Sequence, residues 1–393
     1  MTHSSMRLRA AISWYMLGMQ LKGLHLLRIG GIQIVIDYSW FVIFFLVIYS
    51  MAESYFPSTQ KHFTAPQYWI MGLITSTLLF VSVLVHELAH SFVALRHGIQ
   101  VLSIRLFFFG GVAQVSQEPR TGRHEFLIAL AGPAANMALA CFFGMAYGML
   151  FLARGPGAVS TVASYLCVAN LLLALGNMIP GIPLDGGHIL RAILWDRWDD
   201  IARATKVVSQ LGNAFALFLI VVGGLQFFFT QSLISGLLFI LTGLFMKQSA
   251  IGSYQAVVLK QALSGVQIRQ IMTDKVMGVD WLMSIEDLVR DYIYKHPNFP
   301  VFNRDEFLGM VSLTDIKTVP KELWSFKQVR DIMTPIEQVP CLKPTDDATE
   351  ALARMVSDDL GRMPVIENGR LVGIVSRRDI LNLFKIKSDL GLA

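Results

Sequence analysis

The chain has 393 residues, of which 54% are hydrophobic and 16% are charged, and its mean hydropathy is +0.52. This composition excludes an ordinary soluble protein and indicates a polytopic membrane protein with a soluble part attached. The formal net charge is +5, but the basic residues lie in short loops between apolar segments. We therefore interpret the charge as a signal of membrane topology and expect no nucleic-acid partner.

The N-terminal residues 1–29 are expected to form a cytoplasmic or interfacial segment. Within it, residues 6–28 combine basic side chains with a short apolar stretch that polar groups interrupt. This pattern is typical of an amphipathic segment at the membrane surface, and no small-residue cleavage site of a signal peptide follows it.

Six apolar segments are long enough to cross a bilayer, whose hydrocarbon core needs about 20 residues. Lys and Arg cluster in alternate loops, whereas the opposite loops carry only Lys61 and Arg154. Because positive residues favour the cytoplasmic side, we expect a multi-pass protein of the cell (inner) membrane with its N- and C-termini in the cytoplasm. The predicted spans are 37–52, 68–91, 126–152, 160–179, 208–229 and 233–250.

The segment between the second and third spans, Gly98–Glu118, is neither a full span nor an ordinary loop. Alternation at Val101, Ser103 and Arg105, followed by a Gly-Gly pair, predicts short strands joined by a turn. Such backbone can lie at membrane depth only where it is paired or lines a wet cavity. A plain interfacial hairpin is the alternative.

The tail beyond residue 255 is more polar and contains an internal repeat. The motif Ile271–Asp274 returns as Ile332–Pro335, and Gly309–Ile316 returns as Gly373–Ile380. Each unit is predicted to run strand, helix, strand, strand, helix, so that two units make a small α/β module. The predicted domains are 30–252 in the membrane, a linker at 253–268, and repeats at 269–325 and 326–393.

The second span contains the sequence HELAH, from His86 to His90. Positions i and i+4 of a helix share a face, so both imidazoles can reach one ion. Glu87 lies beside that face and can accept a proton from a water that the ion activates. Zinc suits this set, because it takes nitrogen and oxygen ligands and leaves a position open. Ionisable residues inside a span are costly, which favours a functional role.

A third ligand is offered by NMIPGIPLDGGH, Asn177–His188, at the end of the fourth span. Pro180 and Pro183 break the helix there, so that Asp185 is presented from a bend at membrane depth. In the predicted topology the second and fourth spans run in the same direction, which brings Asp185 and the HELAH histidines to one face. His188 is expected to support this site or to be unrelated to it.

Three motifs together resemble the site-2 protease family of intramembrane zinc metalloproteases, over most of residues 30–250. They are HELAH, the N-x-x-P-x-x-P-L-D-G run at Asn177–Gly186, and the G-P-x-x-N element at 132–136. The resemblance implies one zinc ion per chain, bound by His86, His90 and Asp185, with Glu87 as the catalytic base. The residues it implies to line or support the substrate cleft are Gly132, Pro133, Asn136 and Asn177. For the two asparagines, hydrogen bonding between helices is the alternative.

The repeated tail resembles a tandem pair of CBS domains, which commonly bind adenine nucleotides such as ATP or AMP between their repeats. In that family a Ser or Thr and an Asp, three residues apart at a strand-to-helix turn, contact the ribose and phosphate. Ser312 with Asp315, and Ser376 with Asp379, match this pattern. An Asp at such a position can also simply cap a helix. Whether CBS pairs of two chains form a homodimer stays open.

Together these resemblances imply a zinc endopeptidase that cleaves transmembrane segments of membrane-tethered substrates and is modulated by an adenine nucleotide. A helix hides its amides, so we expect the substrate to unwind and pair with the strand-like segment Leu102–Phe107. The alternatives are a CBS-regulated transporter or channel and a proteolytically inactive membrane scaffold. The concentration of ionisable residues around one point favours the protease.

Overall fold

The computed structural model describes residues 23–155, 157–229, 233–293, 298–358 and 360–390. Two compact units divide the chain, Met1–Val257 and Val258–Ala393. The first unit carries the long apolar helices and the second carries the sequence repeat.

Six helices in the described part of the chain are long and apolar enough to cross a membrane, which confirms the expected number. Large apolar side chains on their surfaces remain exposed, among them Phe45, Phe142 and Leu172, as lipid-facing side chains would be. The first of the six combines α1 (Tyr38–Ser50), a π-helical turn (Met51–Tyr55) and α2 (Phe56–Thr59). The others are α3 (Ala65–Arg96), α4 (Gly122–Arg154), α5 (Ala158–Asn177), α7 (Ile201–Phe229) and α8 (Leu233–Leu263), while the shorter α6 (Asp185–Trp198) follows α5.

A four-stranded sheet accompanies these helices, in the order β1 (Gly23–Ile29), β2 (Ile32–Asp37), β3 (Val101–Phe107) and β4 (Gly110–Val115). The strands β3 and β4 confirm the two short strands joined by a turn that are predicted within Gly98–Glu118. Of the amphipathic segment expected over residues 6–28, the described part belongs to β1, which pairs with β2, and its place at the membrane surface stays a prediction. The rest of that segment, residues 6–22, lies outside the described residues.

The strand β3 is an interior strand of this sheet. It pairs in parallel with β2, where Ile34 lies opposite Ile104, and antiparallel with β4. Its two edges are therefore already occupied, and the expectation that Leu102–Phe107 receives the substrate is wrong. The strand β4 is the edge of the sheet on this side.

The sheet packs against α3, the helix that carries HELAH. Ile104 of β3 is fully buried in a cluster that includes Trp40 of α1 and Ala94 of α3. On its other side α3 packs against α4, which also contacts α5 and α6. The HELAH helix is thus enclosed by apolar packing from a sheet and from helices, which fixes the depth and rotation of its side chains.

The second unit contains the two repeats. A four-stranded sheet holds β5 (Val279–Asp280), β6 (Asn298–Asn303), β7 (Glu306–Ser312) and β8 (Thr334–Pro335), and β9 (Arg362–Glu367) pairs with β10 (Arg370–Ser376). The first repeat has the predicted element order. In the second, the first strand is only an isolated bridge between Leu342 and Val365. The helices are α9 (Ile285–Leu288), α10 (Leu313–Lys317), α11 (Ala348–Ser357) and α12 (Arg377–Asp389).

The two repeats share their apolar cores. Val266 and Ile268, which precede the first repeat's strands, are buried with Val365 and Ile380 of the second repeat. Val329, which precedes the second repeat's elements, is buried with residues of the first. Each repeat is therefore completed by the segment that leads into the other, so the pair forms one module.

Candidate metal centre and active site

Two imidazoles converge on one face of α3. His86 is buried, with 6% of its surface exposed, and its Nε2 atom lies 3.1 Å from Nε2 of His90. The i, i+4 spacing on a helix produces this approach, as the sequence predicted. Both Nε2 atoms therefore face the same small volume.

Asp185 enters that volume as the first residue of α6. Its Oδ2 lies 3.1 Å from His86 Nε2, and its Oδ1 lies 3.3 Å from His90 Nε2. The two glycines that follow permit this entry, because a Cβ on Gly186 would lie 2.2 Å from the Met178 carbonyl oxygen. The helix can therefore start directly over the preceding loop, and any larger residue would push Asp185 away.

The helix α4 closes the third side of the cluster. Its Ile128 carbonyl oxygen lies 2.6 Å from His90 Nδ1. Hydrogen-bond donation from Nδ1 leaves Nε2 with its lone pair directed at the cluster. One turn further, a Cβ on Gly132 would lie 2.2 Å from His90 Nε2. Only glycine allows α4 to approach the histidines this closely.

The arrangement fits a zinc ion. In a tetrahedral site with bonds of about 2.0–2.1 Å, ligand atoms lie roughly 3.3 Å apart, and the three distances between His86, His90 and Asp185 atoms are 3.1, 3.1 and 3.3 Å. Among the described residues, the buried Oδ2 of Asp185 has no hydrogen-bond partner of acceptable geometry. Two imidazole nitrogens and one carboxylate also form a common catalytic zinc set with an open fourth position.

Glu87 lies beside the cluster and against the edge strand β4. A Cβ on Gly111 would lie 2.5 Å from Glu87 Cγ and 2.9 Å from its Oε1. In sequence Glu87 lies between the two HELAH histidines, and in space its carboxylate lies against the backbone of β4. This position suits a general base that acts on a chain lying along β4.

The other predicted cleft residues take different positions. Pro133 and Asn136 are buried on α4, next to Gly132 and one turn beyond it. Within the described part of the chain, Asn136 Oδ1 has no hydrogen-bond partner, whereas Asn177 is half-buried at the end of α5. Asn136 therefore shares a face of α4 with the residues that contact the histidines.

A buried ion pair next to this site is absent from the sequence-based prediction. Glu125 of α4 accepts hydrogen bonds from Arg191 Nε at 2.7 Å, and its Oε1 lies 3.0 Å from His188 Nδ1. Hence His188 contacts Glu125 and is outside the group of possible metal ligands. A signal was present in the sequence, since His188 and Arg191 lie about one and two turns after Asp185, but periodicity does not name a partner 66 residues away.

The four predicted nucleotide contacts lie in two capping boxes. The Asp315 carboxylate accepts hydrogen bonds from the Ser312 backbone N–H at 2.8 Å and from its hydroxyl at 2.7 Å. Asp379 accepts the same two bonds from Ser376, at 2.9 and 2.6 Å. Both serines also cap the helix that follows. The capping alternative is therefore realised, and nucleotide binding stays a prediction.

Comparison with known proteins places this geometry in a family. Residues 74–158 and 154–219 match peptidase family M50, and residues 268–322 and 329–386 match the CBS domain. Rip3 of Mycobacterium tuberculosis, a zinc metalloprotease by name, is 35% identical over 91% of this chain and 92% of its own length. Zinc metalloprotease MJ0392 of Methanocaldococcus jannaschii is 31% identical over 81% of this chain and 86% of its own length.

A solved structure also resembles the chain. The site-2 protease from Methanocaldococcus jannaschii is 28% identical, covers 58% of this chain and 94% of that one, and gives a TM-score of 0.41. Both relatives are named zinc metalloproteases and the chain matches a peptidase family, which argues against a transporter or channel. This chain belongs to peptidase family M50, the site-2 protease family of membrane zinc metalloproteases, and carries a pair of CBS domains.

Proposed function

We propose that the chain is a zinc-dependent intramembrane endopeptidase in which His86, His90 and Asp185 bind one zinc ion and Glu87 is the general base. The observation that carries this proposal is the convergence of three ligand atoms within 4.8 Å of one another. Zinc, when bound there, supplies a Lewis acid that polarises the scissile carbonyl and lowers the pKa of a water to about 7.

During hydrolysis the proton is transferred by Glu87. Glu87 takes a proton from the attacking water, whose oxygen forms the new bond to the carbonyl carbon. The C–N bond then breaks, and Glu87 returns the proton to the leaving nitrogen, so that one water is consumed and an acid and an amine are formed. The Ile128 carbonyl holds His90 in the tautomer that binds metal throughout.

The experiment compares zinc content and cleavage of a membrane substrate by the purified full chain and by Glu87→Gln. We expect both proteins to contain about one zinc, and the variant to cleave about 10²–10⁴-fold more slowly, as for loss of a general base. Glu53→Gln makes the same chemical change at an exposed position of the first span, and should keep full activity. Equal cleavage by Glu87→Gln would overturn the mechanism.

We further propose that a transmembrane substrate unwinds and adds to the free edge of β4. Support comes from the described residues, among which β4 pairs with β3 alone, and from Gly111, where an added Cβ would lie 2.5 Å from Glu87 Cγ. Strand addition supplies the backbone hydrogen bonds that the substrate loses on unwinding. Helix-favouring substitutions next to the scissile bond should slow cleavage, while the same substitutions two turns away should not. Equal rates in both positions would contradict strand addition.

The CBS pair is proposed to bind an adenine nucleotide and to modulate cleavage. The repeated Ser-x-x-Asp turns and the two CBS matches support it. We expect cleavage to change with ATP or AMP in the wild type and Asp379→Asn to bind nucleotide more weakly. Asp347→Asn is the matched control, because Asp347 also caps a helix but belongs to no Ser-x-x-Asp turn. Nucleotide-independent cleavage without measurable binding would remove the regulatory role.

The protein is further proposed to lie in the cell membrane with both termini cytoplasmic and to form homodimers through the CBS pair. The loop distribution of Lys and Arg supports this topology. A reporter fused to the C-terminus should be accessible from the cytoplasm only.

The proposed homodimer is tested separately. The mass of the detergent-purified protein, measured by light scattering, should correspond to two chains, and a monomer mass would reject the dimer.

A further inference from the structure

Glu125, Arg191 and His188 form a charged cluster that the proposed mechanism does not use. Glu125 is 3% exposed and Arg191 is 8% exposed, and Arg191 directs both Nε and Nη2 at one carboxylate oxygen, at 2.7 and 2.5 Å. His188 Nδ1 lies 3.0 Å from the same oxygen. Three side chains therefore meet at a single atom between α4 and α6.

The residues of this cluster are near neighbours in sequence of the α4 and α6 residues that form or contact the ligand site. On α4, Glu125 is followed at i+3 by Ile128 and at i+7 by Gly132, so the three share one helix face. On α6, His188 lies one turn after Asp185. The two helices that hold Asp185 and orient His90 are thus joined beside the ligands themselves.

An ion pair is a costly way to join two helices if cohesion is all that is needed, because apolar side chains of similar volume hold them as well or better. What the guanidinium adds is direction, since its N–H groups lie in a rigid plane. A pair that fixes direction fits a place where a displacement of about 1 Å would spoil a metal site.

We propose that Glu125 is a positioning residue that, through Arg191 and His188, holds α6 in the register that presents Asp185 to the two histidines. The proposal rests on the zinc site described above. It assigns Glu125 no contact with substrate or metal. It predicts that changes in the cluster alter the metal site itself, whereas a merely cohesive role would alter only folding stability.

The test measures zinc affinity by chelator competition, and the absorption spectrum of the cobalt(II)-substituted full chain, which reports ligand geometry. For Glu125→Gln we expect zinc affinity to fall about 10–100-fold, the usual effect of losing an outer partner of a metal site, with a changed cobalt spectrum. Asn170→Ala is the control. Asn170 is fully buried and joins α5 to Ser82 of α3, so its loss removes helix cohesion without touching the cluster.

Two gentler variants keep the proposal falsifiable if Glu125→Gln fails to fold. Arg191→Lys retains the charge but not the planar fork, and His188→Gln changes a side chain that is 35% exposed. Both variants should show a smaller loss of zinc affinity and a smaller change in the cobalt(II) spectrum than Glu125→Gln. Wild-type affinity and spectrum in the folded variants, or an equal loss in Asn170→Ala, would overturn the positioning role. A wild type that binds no zinc would overturn the metal site as well.

Discussion

Both units of the chain place an aspartate in the first turn of a helix, yet the carboxylates have different partners. In the second unit, Asp315 and Asp379 turn back to the serine three residues earlier and cap their own helix. In the first unit, Asp185 reaches across to two histidines of another helix. A carboxylate near a helix N-terminus is by default a local stabiliser, so the informative feature is a partner that comes from elsewhere in the fold.

The capping boxes and the ligand cluster also differ in how much of the fold each one requires. A capping box needs only four consecutive residues with the right backbone. The ligand cluster needs α3, α4 and α6 at fixed separations, with glycines where the helices approach. Substitutions of residues that contact no substrate should therefore damage the cluster severely, whereas the loss of a cap in the second unit should be a small and local event.

The largest effect is expected for Gly132→Ala. The new methyl group would lie within 2.2–2.6 Å of His90 and His86 ring atoms, so α4 or the imidazoles must move. Because a displacement of about 1 Å can cost on the order of 10²-fold in rate, cleavage should fall at least that far and zinc content should drop. Gly148→Ala is the control, since a Cβ on Gly148, in the same helix, meets nothing within 4 Å. Normal zinc and activity in Gly132→Ala would refute the close approach.

A smaller effect is expected for Gly111→Ala. Here the methyl group would meet the flexible Glu87 side chain at 2.5 Å, and that side chain can move aside without unfolding the protein. The general base then leaves its position, so kcat should fall about 10-fold, part of what a general base contributes. Zinc content and the melting temperature should stay at wild-type values. A loss of zinc would show that Gly111 supports the ligands instead.

The smallest effect is expected in the second unit, for Asp347→Ala. Asp347 caps α11 by accepting a hydrogen bond from the Thr349 N–H. Burial acts to raise the pKa of this carboxyl, but hydrogen bonds from the backbone of Thr349 and Gly265 outweigh burial and lower it. Losing the cap should cost about 1 kcal/mol in the free energy of unfolding at neutral pH.

The pH dependence of that loss has a definite sign. Because the folded pKa of Asp347 is depressed, its stabilising effect is complete above the unfolded value of about 3.9 and disappears as the pH falls through the folded value. Denaturant unfolding of the wild type and Asp347→Ala should therefore differ at pH 7 and converge below about pH 4. A constant difference across this range would show that the carboxylate charge contributes nothing.

The sequence predicts much of the fold because hydrophobic length and helical spacing are local properties. The six spans, the hairpin at Val101–Val115 and the meeting of the HELAH histidines follow from such spacing. Strand partners are different. The parallel neighbour of β3 is β2, about 70 residues earlier, and no periodicity indicates that pairing. For the same reason the sequence predicts neither the pairing of β1 with β2 nor the interior position of β3.

The residues of the candidate site also differ in whether the sequence predicts them. Asp185 could be found because prolines and glycines mark the bend that presents it and because the topology gives its depth. Glu125 could not, since a single Glu in the first turn of a helix is ordinary. Its role emerges only when Arg191 and His188 are seen to converge on it from another helix.

The group that orients the His90 imidazole is a main-chain carbonyl, that of Ile128. The acceptor belongs to the main chain, so no amino-acid replacement at position 128 deletes it. Asp185, by contrast, is lost through a single codon change, and so are the side chains around it. The tautomer of His90 therefore depends on where α4 places its backbone and not on the identity of the side chain at position 128.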